Sequence, residues 1–280
     1  MKRISKPFLL VLLFCFFDCL LIDHISERAE LQRLNSETVT SDGYRNQKLI
    51  DKLLEFMEDE TSPEERGTIV GIYLLEAKFG VQKFTGTYSA AHFSALKKKW
   101  KASQNWEGYL EYCDALWNDV KYFPVPASTV DKKLTVSLVD SWMAERTYGG
   151  QRGHEGTDIM AGENAAGVYP VLSMTDGVVT SKGWLEKGGY RIGITSPSGG
   201  YFYYAHLSDY ANIEEGDTVK AGDLLGFMGD TGYGEEGTTG QFDVHLHVGI
   251  YLYPDGQETS VNPYWILKFL ENHKLKYAYS

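Results

Sequence analysis

Hydrophobic and polar positions change rhythm twice along the 280 residues of the chain. The opening stretch is almost unbroken: Lys2, Arg3 and Lys6 precede an apolar run from Pro7 to Ile22, interrupted only by Asp18. A positive flank followed by an apolar run is the pattern of a signal sequence or signal anchor. As a helix the run would span roughly 24 Å, somewhat less than the roughly 30 Å of a hydrocarbon core. No small-x-small cleavage site follows, because the chain continues Asp23-His24-Ile25-Ser26-Glu27, and Phe16-Phe17-Asp18 before Cys19 is not a lipoprotein processing box. The expectation is an uncleaved membrane helix over residues 1–22, with the remaining chain on the outer face by the positive-inside rule. Secretion after cleavage is the alternative.

From 23 to about 125 the spacing is helical. Leu49, Ile50, Leu53, Leu54 and Met57 form one amphipathic stripe. Ser62-Pro63-Glu64-Glu65 starts another helix, with an oxygen-bearing cap, proline at the first position and carboxylates at the positive end of the dipole. Its apolar face carries Ile69, Ile72 and Tyr73, and the pattern stops near Gly80. Two more helices are expected over Ala90–Trp100 and from Trp106 to about Val120. Nothing here carries recognisable chemistry, and the region 23–125 is expected to be a helical stalk or accessory domain with an unidentified protein partner.

Pro124-Val125-Pro126 marks the second change. Short runs rich in β-formers follow, separated by glycine turns: 168–172, 177–180, 190–195, 201–205 and 244–252. Their spacing predicts an antiparallel β sandwich or barrel over 126–280, closed by a helix over 262–272. The fold class expected for the whole chain is α+β.

Composition adds exclusions. The net charge of −11, with one short lysine run near Trp100, argues against nucleic acid as a partner, since phosphate neutralisation needs clustered cations. Of three cysteines only Cys113 lies beyond the apolar run, so there is no disulfide framework, and its helical setting suits a small buried hydrophobe.

Four of the seven histidines fall between 154 and 247. On an extended strand His154 and Asp158 face the same side, and so do His245 and His247, with Val244, Leu246 and Val248 on the other face. Imidazoles and a carboxylate backed by a packed apolar face suit zinc, and three protein ligands leave the open position that catalysis requires. His154-Glu155 is not the helical His-Glu-x-x-His box, because the fifth residue is Asp158 and Gly156 sits in the middle.

The order of motifs is more specific than any one of them. After His154-Glu155-Gly156-Thr157-Asp158 come Tyr203-Tyr204-Ala205-His206, a glycine-punctuated stretch from Glu215 to Gly229, Thr231-Gly232, and His245-Leu246-His247. Over roughly residues 134–270 this succession resembles the lysostaphin-like (LytM-type) zinc metalloendopeptidases, which cut cross-bridges or stems of bacterial peptidoglycan. The resemblance implies Zn2+ held by His154, Asp158 and His247, with His206 and His245 as non-ligand catalytic histidines. It also implies peptidoglycan peptides as substrate, cleaved outside the membrane to which the N-terminal segment would anchor the chain. The stretch from Tyr233 to Val244 departs from the family in its length, which bears on the groove beside the site more than on the metal. Two rivals remain on the same residues. A catalytically silent peptidoglycan-binding or hydrolase-regulating protein would normally have lost ligands. A carrier domain would need an exposed lysine tip, which Val219–Gly229 lacks.

Overall fold

The computed structural model describes residues 6–280, with side chains from Leu10 onward. Lys2 and Arg3, the positive flank of the expected anchor, lie outside the described residues. The apolar run forms the first part of α1 (Lys6–Leu31), and its Leu10, Phe14, Phe17 and Ile22 are exposed. The expectation of a membrane helix here is not supported. Among the described residues no helix is long and apolar enough to cross a membrane. Asp18, Asp23 and Glu27 interrupt this one within about two and a half turns.

Five helices follow: α2 (Asp42–Arg45), α3 (Asp51–Glu60), α4 (Arg66–Glu76), α5 (Ala90–Trp100) and α6 (Trp106–Trp117). The start at Ser62-Pro63 is a 3₁₀ turn over Pro63–Glu65, with the Glu65 carboxylate reaching back to the Ser62 amide at 3.3 Å. Trp100, Trp106 and Trp117 are completely buried, and truncating such a side chain costs about 3–5 kcal/mol. The helices do not stand apart from the sheet. Trp117 meets Phe269 edge to face at 6.2 Å, and one hydrophobic core runs from Leu34 to Leu270. Cys113 lies within it, and burial pushes its thiol up to about 12, which removes it as a nucleophile.

The strands are β1 (Ala127–Ser128), β2 (Val136–Val139), β3 (Glu145–Arg146), β4 (Arg152–Gly153), β5 (Thr157–Ala161), β6 (Pro170–Leu172), β7 (Gly177–Leu185), β8 (Gly189–Thr195), β9 (Tyr201–Tyr210), β10 (Thr218–Val219), β11 (Leu224–Met228), β12 (His245–Leu252), β13 (Thr259–Val261) and β14 (Lys276–Tyr277), with α7 (Tyr264–Leu270) before the last. The mainly antiparallel sheet runs β10-β7-β8-β9-β12-β5-β2, with β11 and β13 branching off β9 and β12. The ten residues of β9 are long enough for two partners. Tyr201–Ala205 pairs with β12, and Leu207–Tyr210 pairs with β11. Where β9 changes partner it carries a bulge: Tyr190 of β8 opposes Leu207, but Ile192 opposes Tyr204.

Alternation divides the sheet cleanly. Ile159, Ile192, Phe202, Tyr204, Leu246, Val248 and Ile250 are buried on one face against the helices. Asp158, Arg191, Tyr201, Tyr203, His245, His247 and Tyr251 line a groove on the other.

Candidate active site

The site sits where β5, β12 and β9 lie side by side. Asp158 is directly opposite His247, and His247 is opposite Ala205, so three strands place one cross-strand row along the groove floor. His154 arrives differently from the sequence expectation. It is not on a strand shared with Asp158 but follows β4, with Glu155 and Gly156 turning the chain before β5 begins. That turn needs a residue without a side chain, because a Cβ on Gly156 would overlap the His247 ring.

Three donor atoms converge. His154 Nε2 and His247 Nδ1 are 2.8 Å apart, and each is 3.2 Å from Asp158 Oδ1. Bonds of about 2.0–2.1 Å at a tetrahedral centre would separate ligands by roughly 3.3 Å, so a point about 2 Å from all three atoms exists. His154, Asp158 and His247 can therefore hold a metal ion, and two imidazoles with a carboxylate are a donor set suited to zinc.

Hydrogen bonds around the donors fix their orientation. A carbonyl oxygen only accepts, so His154 Nδ1–H donates to Ser141 O at 3.0 Å, and Nε2 is the nitrogen left for the metal. Arg146 Nη2 donates to Asp158 Oδ2 at 2.6 Å, occupying the oxygen turned away from the histidines. Burial alone would raise the Asp158 pKa, but the His154 and His247 imidazoles facing it outweigh burial and hold the carboxyl well below the usual carboxylate range.

His206 and His245 lie beside this triangle, their rings 4.7 Å apart. Alternation would aim His206 at the core, as it does Phe202 and Tyr204. The bulge and a left-handed φ of 62° turn it into the groove instead. His206 Nδ1–H donates to Thr231 O at 2.7 Å, and His245 Nδ1–H to Asp243 O at 2.8 Å, so Nε2 is the free nitrogen of both. His245 Nε2 is 3.8 Å from Asp158 Oδ1. Burial, reinforced by His245 and His247, keeps the His206 pKa well below the ordinary histidine value, so this ring is neutral near pH 7.

All five residues singled out in the sequence thus line one groove of about 970 Å³. Others were not foreseen. Arg146 and Ser141 belong to no recognisable spacing. The long stretch after Thr231 supplies aromatic walls: Tyr233 stacks on Tyr148 at 4.3 Å, and Phe242 lies 4.6 Å from His206 and 5.0 Å from His245. Only the length of that stretch hinted at a role. Glu155 is exposed and pairs with Arg45 of α2 at 3.1 Å.

Comparison with known proteins matches two separate stretches of the chain. The family model for the LytM N-terminal domain matches residues 29–119, and that for Peptidase family M23 matches residues 152–263. A crystal structure described as a putative glycyl-glycine endopeptidase lytM from Ruminococcus gnavus is 54% identical, with a TM-score of 0.83, covering 90% of this chain and 99% of that one. The L-Ala--D-Glu endopeptidase of Bacillus subtilis is 40% identical over 153 residues, 54% of this chain and 44% of that protein. Lysostaphin of Staphylococcus simulans is 34% identical over 101 residues, 35% of this chain and 19% of that protein. The chain thus spans less than half the length of these two curated relatives.

Proposed function

The chain belongs to peptidase family M23 and is a metalloendopeptidase, and from that premise we propose that it hydrolyses peptide bonds of bacterial peptidoglycan, in a stem or a cross-bridge, outside the membrane. The observation that carries the reading is the triangle of His154 Nε2, His247 Nδ1 and Asp158 Oδ1, with sides of 2.8 to 3.2 Å, lining a groove of about 970 Å³. These three residues are our proposed zinc ligands. When bound there, zinc supplies Lewis-acid chemistry, lowering the pKa of water toward about 7 and polarising the scissile carbonyl.

The remaining steps fall to the chain's own groups. His206 and His245 each leave Nε2 free of backbone partners, and either can accept the proton of the attacking water. Oxygen joins the carbonyl carbon, the C–N bond breaks, and the same imidazole returns its proton to the leaving amine. The other imidazole, after taking a proton from solvent at Nε2, can donate to the oxygen on which charge develops. Arg146 holds Asp158, and the Ser141 carbonyl holds His154, so that the donors do not reorganise. The two family matches fall on either side of Pro124-Val125-Pro126, which supports a division into a leading segment 1–22, a helical region 23–125 and a peptidase domain 126–280.

The test pairs metal analysis with muropeptide release from purified walls. One zinc per chain and soluble peptides from wild type, but not from His247→Ala, are expected. Zinc bound without release from walls of several cross-link types would overturn the substrate.

A further inference from the structure

The groove carries a positive charge that the proposed chemistry does not use. Arg191 lies on β8 opposite the Ala205–His206 bulge, continuing the row Asp158, His247, Ala205 by one more strand. Two strand spacings, about 10 Å, separate its backbone from that of His247, the length of about three residues of extended peptide. Its side chain lines the groove but makes no hydrogen bond or ion pair with any described residue, and its Nη1 is buried without a partner. Buried guanidinium N–H groups are normally satisfied, so an orphan beside a substrate groove points to a group the substrate brings. The cross-strand neighbour of Arg191 is Gly183, so no side chain from that position of β7 covers it.

Arg191 is not the only cation there. Arg152 and Lys187 also line it with no ion-pair partner among the described residues, although the whole chain carries a net charge of −11. Of the groove's carboxylates, Glu155 pairs with Arg45 and Asp158 with Arg146, while Glu145, Asp243 and Glu258 accept hydrogen bonds from the neutral Gln151, Asn164 and Tyr253. None of them is paired with Arg191, so a peptide carboxylate reaching it would meet an unpaired planar fork of donors.

We propose that Arg191 is the receptor for a free carboxylate on the substrate peptide, so that the enzyme favours stem peptides with an acidic residue within about three positions of the scissile bond over neutral cross-bridges. This rests on the endopeptidase reading above and narrows its substrate class. A glutamyl residue linked through one carboxyl group keeps a second one free, and that is the group Arg191 would bind.

The experiment compares two synthetic stem peptides containing an L-Ala–D-Glu bond, one with the free glutamate carboxylate and one with it converted to the amide, plus pentaglycine. The zinc-loaded full chain should cleave the acidic peptide with a kcat/KM at least about tenfold above that for the amide, the range of one charge-assisted hydrogen bond. In Arg191→Gln that ratio should fall to about one, and Arg191→Lys should keep part of it, with thermal unfolding confirming that both variants fold. Calorimetric binding of the two peptides to the metal-free protein should show the same preference. Equal cleavage of acid and amide by wild type, preference for pentaglycine, or an Arg191→Gln ratio equal to that of wild type would overturn the proposal. If no peptide is cleaved, the binding preference separates the two claims. A retained preference sinks the endopeptidase reading alone, and its absence sinks the role of Arg191.

Discussion

Arg146 and Asp158 form the shortest charged contact in the site, Nη2 to Oδ2 at 2.6 Å, while the other oxygen of the same carboxylate faces His154 and His247 at 3.2 Å. One side chain thus serves the proposed metal with one oxygen and is pinned through the other. Arg146 touches no proposed reacting atom; it acts through Asp158 and is a positioning residue. Replacing it with alanine should weaken zinc binding about 10–100-fold, the usual range for groups that orient a ligand. Arg146→Lys should recover only part, because an ammonium lacks the planar fork. Competition against a chromophoric chelator measures this directly, and unchanged affinity in Arg146→Ala would remove the residue from the site.

Gly156 offers a second handle on the same ligands. An added Cβ would overlap the His247 ring and lie 2.7 Å from Val248 O, and backbone cannot give way cheaply there. Gly156→Ala is expected to displace the imidazole, lower stability by about 1–3 kcal/mol and reduce wall hydrolysis at least tenfold. Gly108→Ala on α6 is the contrasting case, since its Cβ meets open space. It should raise stability by about 0.5–1 kcal/mol, as alanine replaces glycine within a helix. Urea midpoints of the two variants, moving in opposite directions, check both.

Metal removal should be visible in stability as well as in activity. An ion that binds only the folded chain stabilises it by about 4 kcal/mol at a thousandfold excess over Kd. For a protein of this size that corresponds to a rise in Tm of roughly 8–16 °C. Calorimetric scans with zinc and with a chelator should differ by this amount in wild type and by little in His247→Ala or Asp158→Ala. Equal Tm values in all of them would mean that the triangle does not bind the ion.

These predictions draw unevenly on what the sequence makes legible. His154, Asp158, His206, His245 and His247 can be picked out because each sits in a short motif whose spacing is local, and the long strands β8, β9 and β12 show clear runs of β-formers. The turn at Gly156 is less legible, and His154 reaches the site from outside β5 rather than by strand alternation. The bulge that re-aims His206 depends on the pairing of β9 with two partners, which no local pattern encodes. Arg146 lies in a hairpin of two-residue strands, too short to show a period, and its partner is twelve residues away. Arg191 is one basic residue in an apolar strand until its neighbours are known to leave it unpaired. The N-terminal run shows the opposite failure: a strong local signal, yet no described helix long and apolar enough to cross a membrane.

The metal-free protein should lose stability as the solution is acidified. Burial lowers the pKa of His206 well below its unfolded value of about 6.5, with His245 and His247 adding to the effect, and burial also lowers that of His247. Below about pH 6.5 the unfolded chain therefore takes up protons that the folded chain refuses, and stability falls with pH. Each such proton is worth about 1.4 kcal/mol per pH unit while the two states differ. Above about pH 7 neither state is protonated at these rings and the contribution is fully present. Asp158, held well below the carboxylate range, adds a second loss below about pH 4, where the unfolded carboxyl protonates first. Urea unfolding of chelator-treated protein between pH 8 and pH 5 should show a plateau followed by a decline, with a shallower decline in His206→Asn. A flat profile through pH 5 would mean that these imidazoles are not held neutral, and would weaken the case for His206 as a proton acceptor.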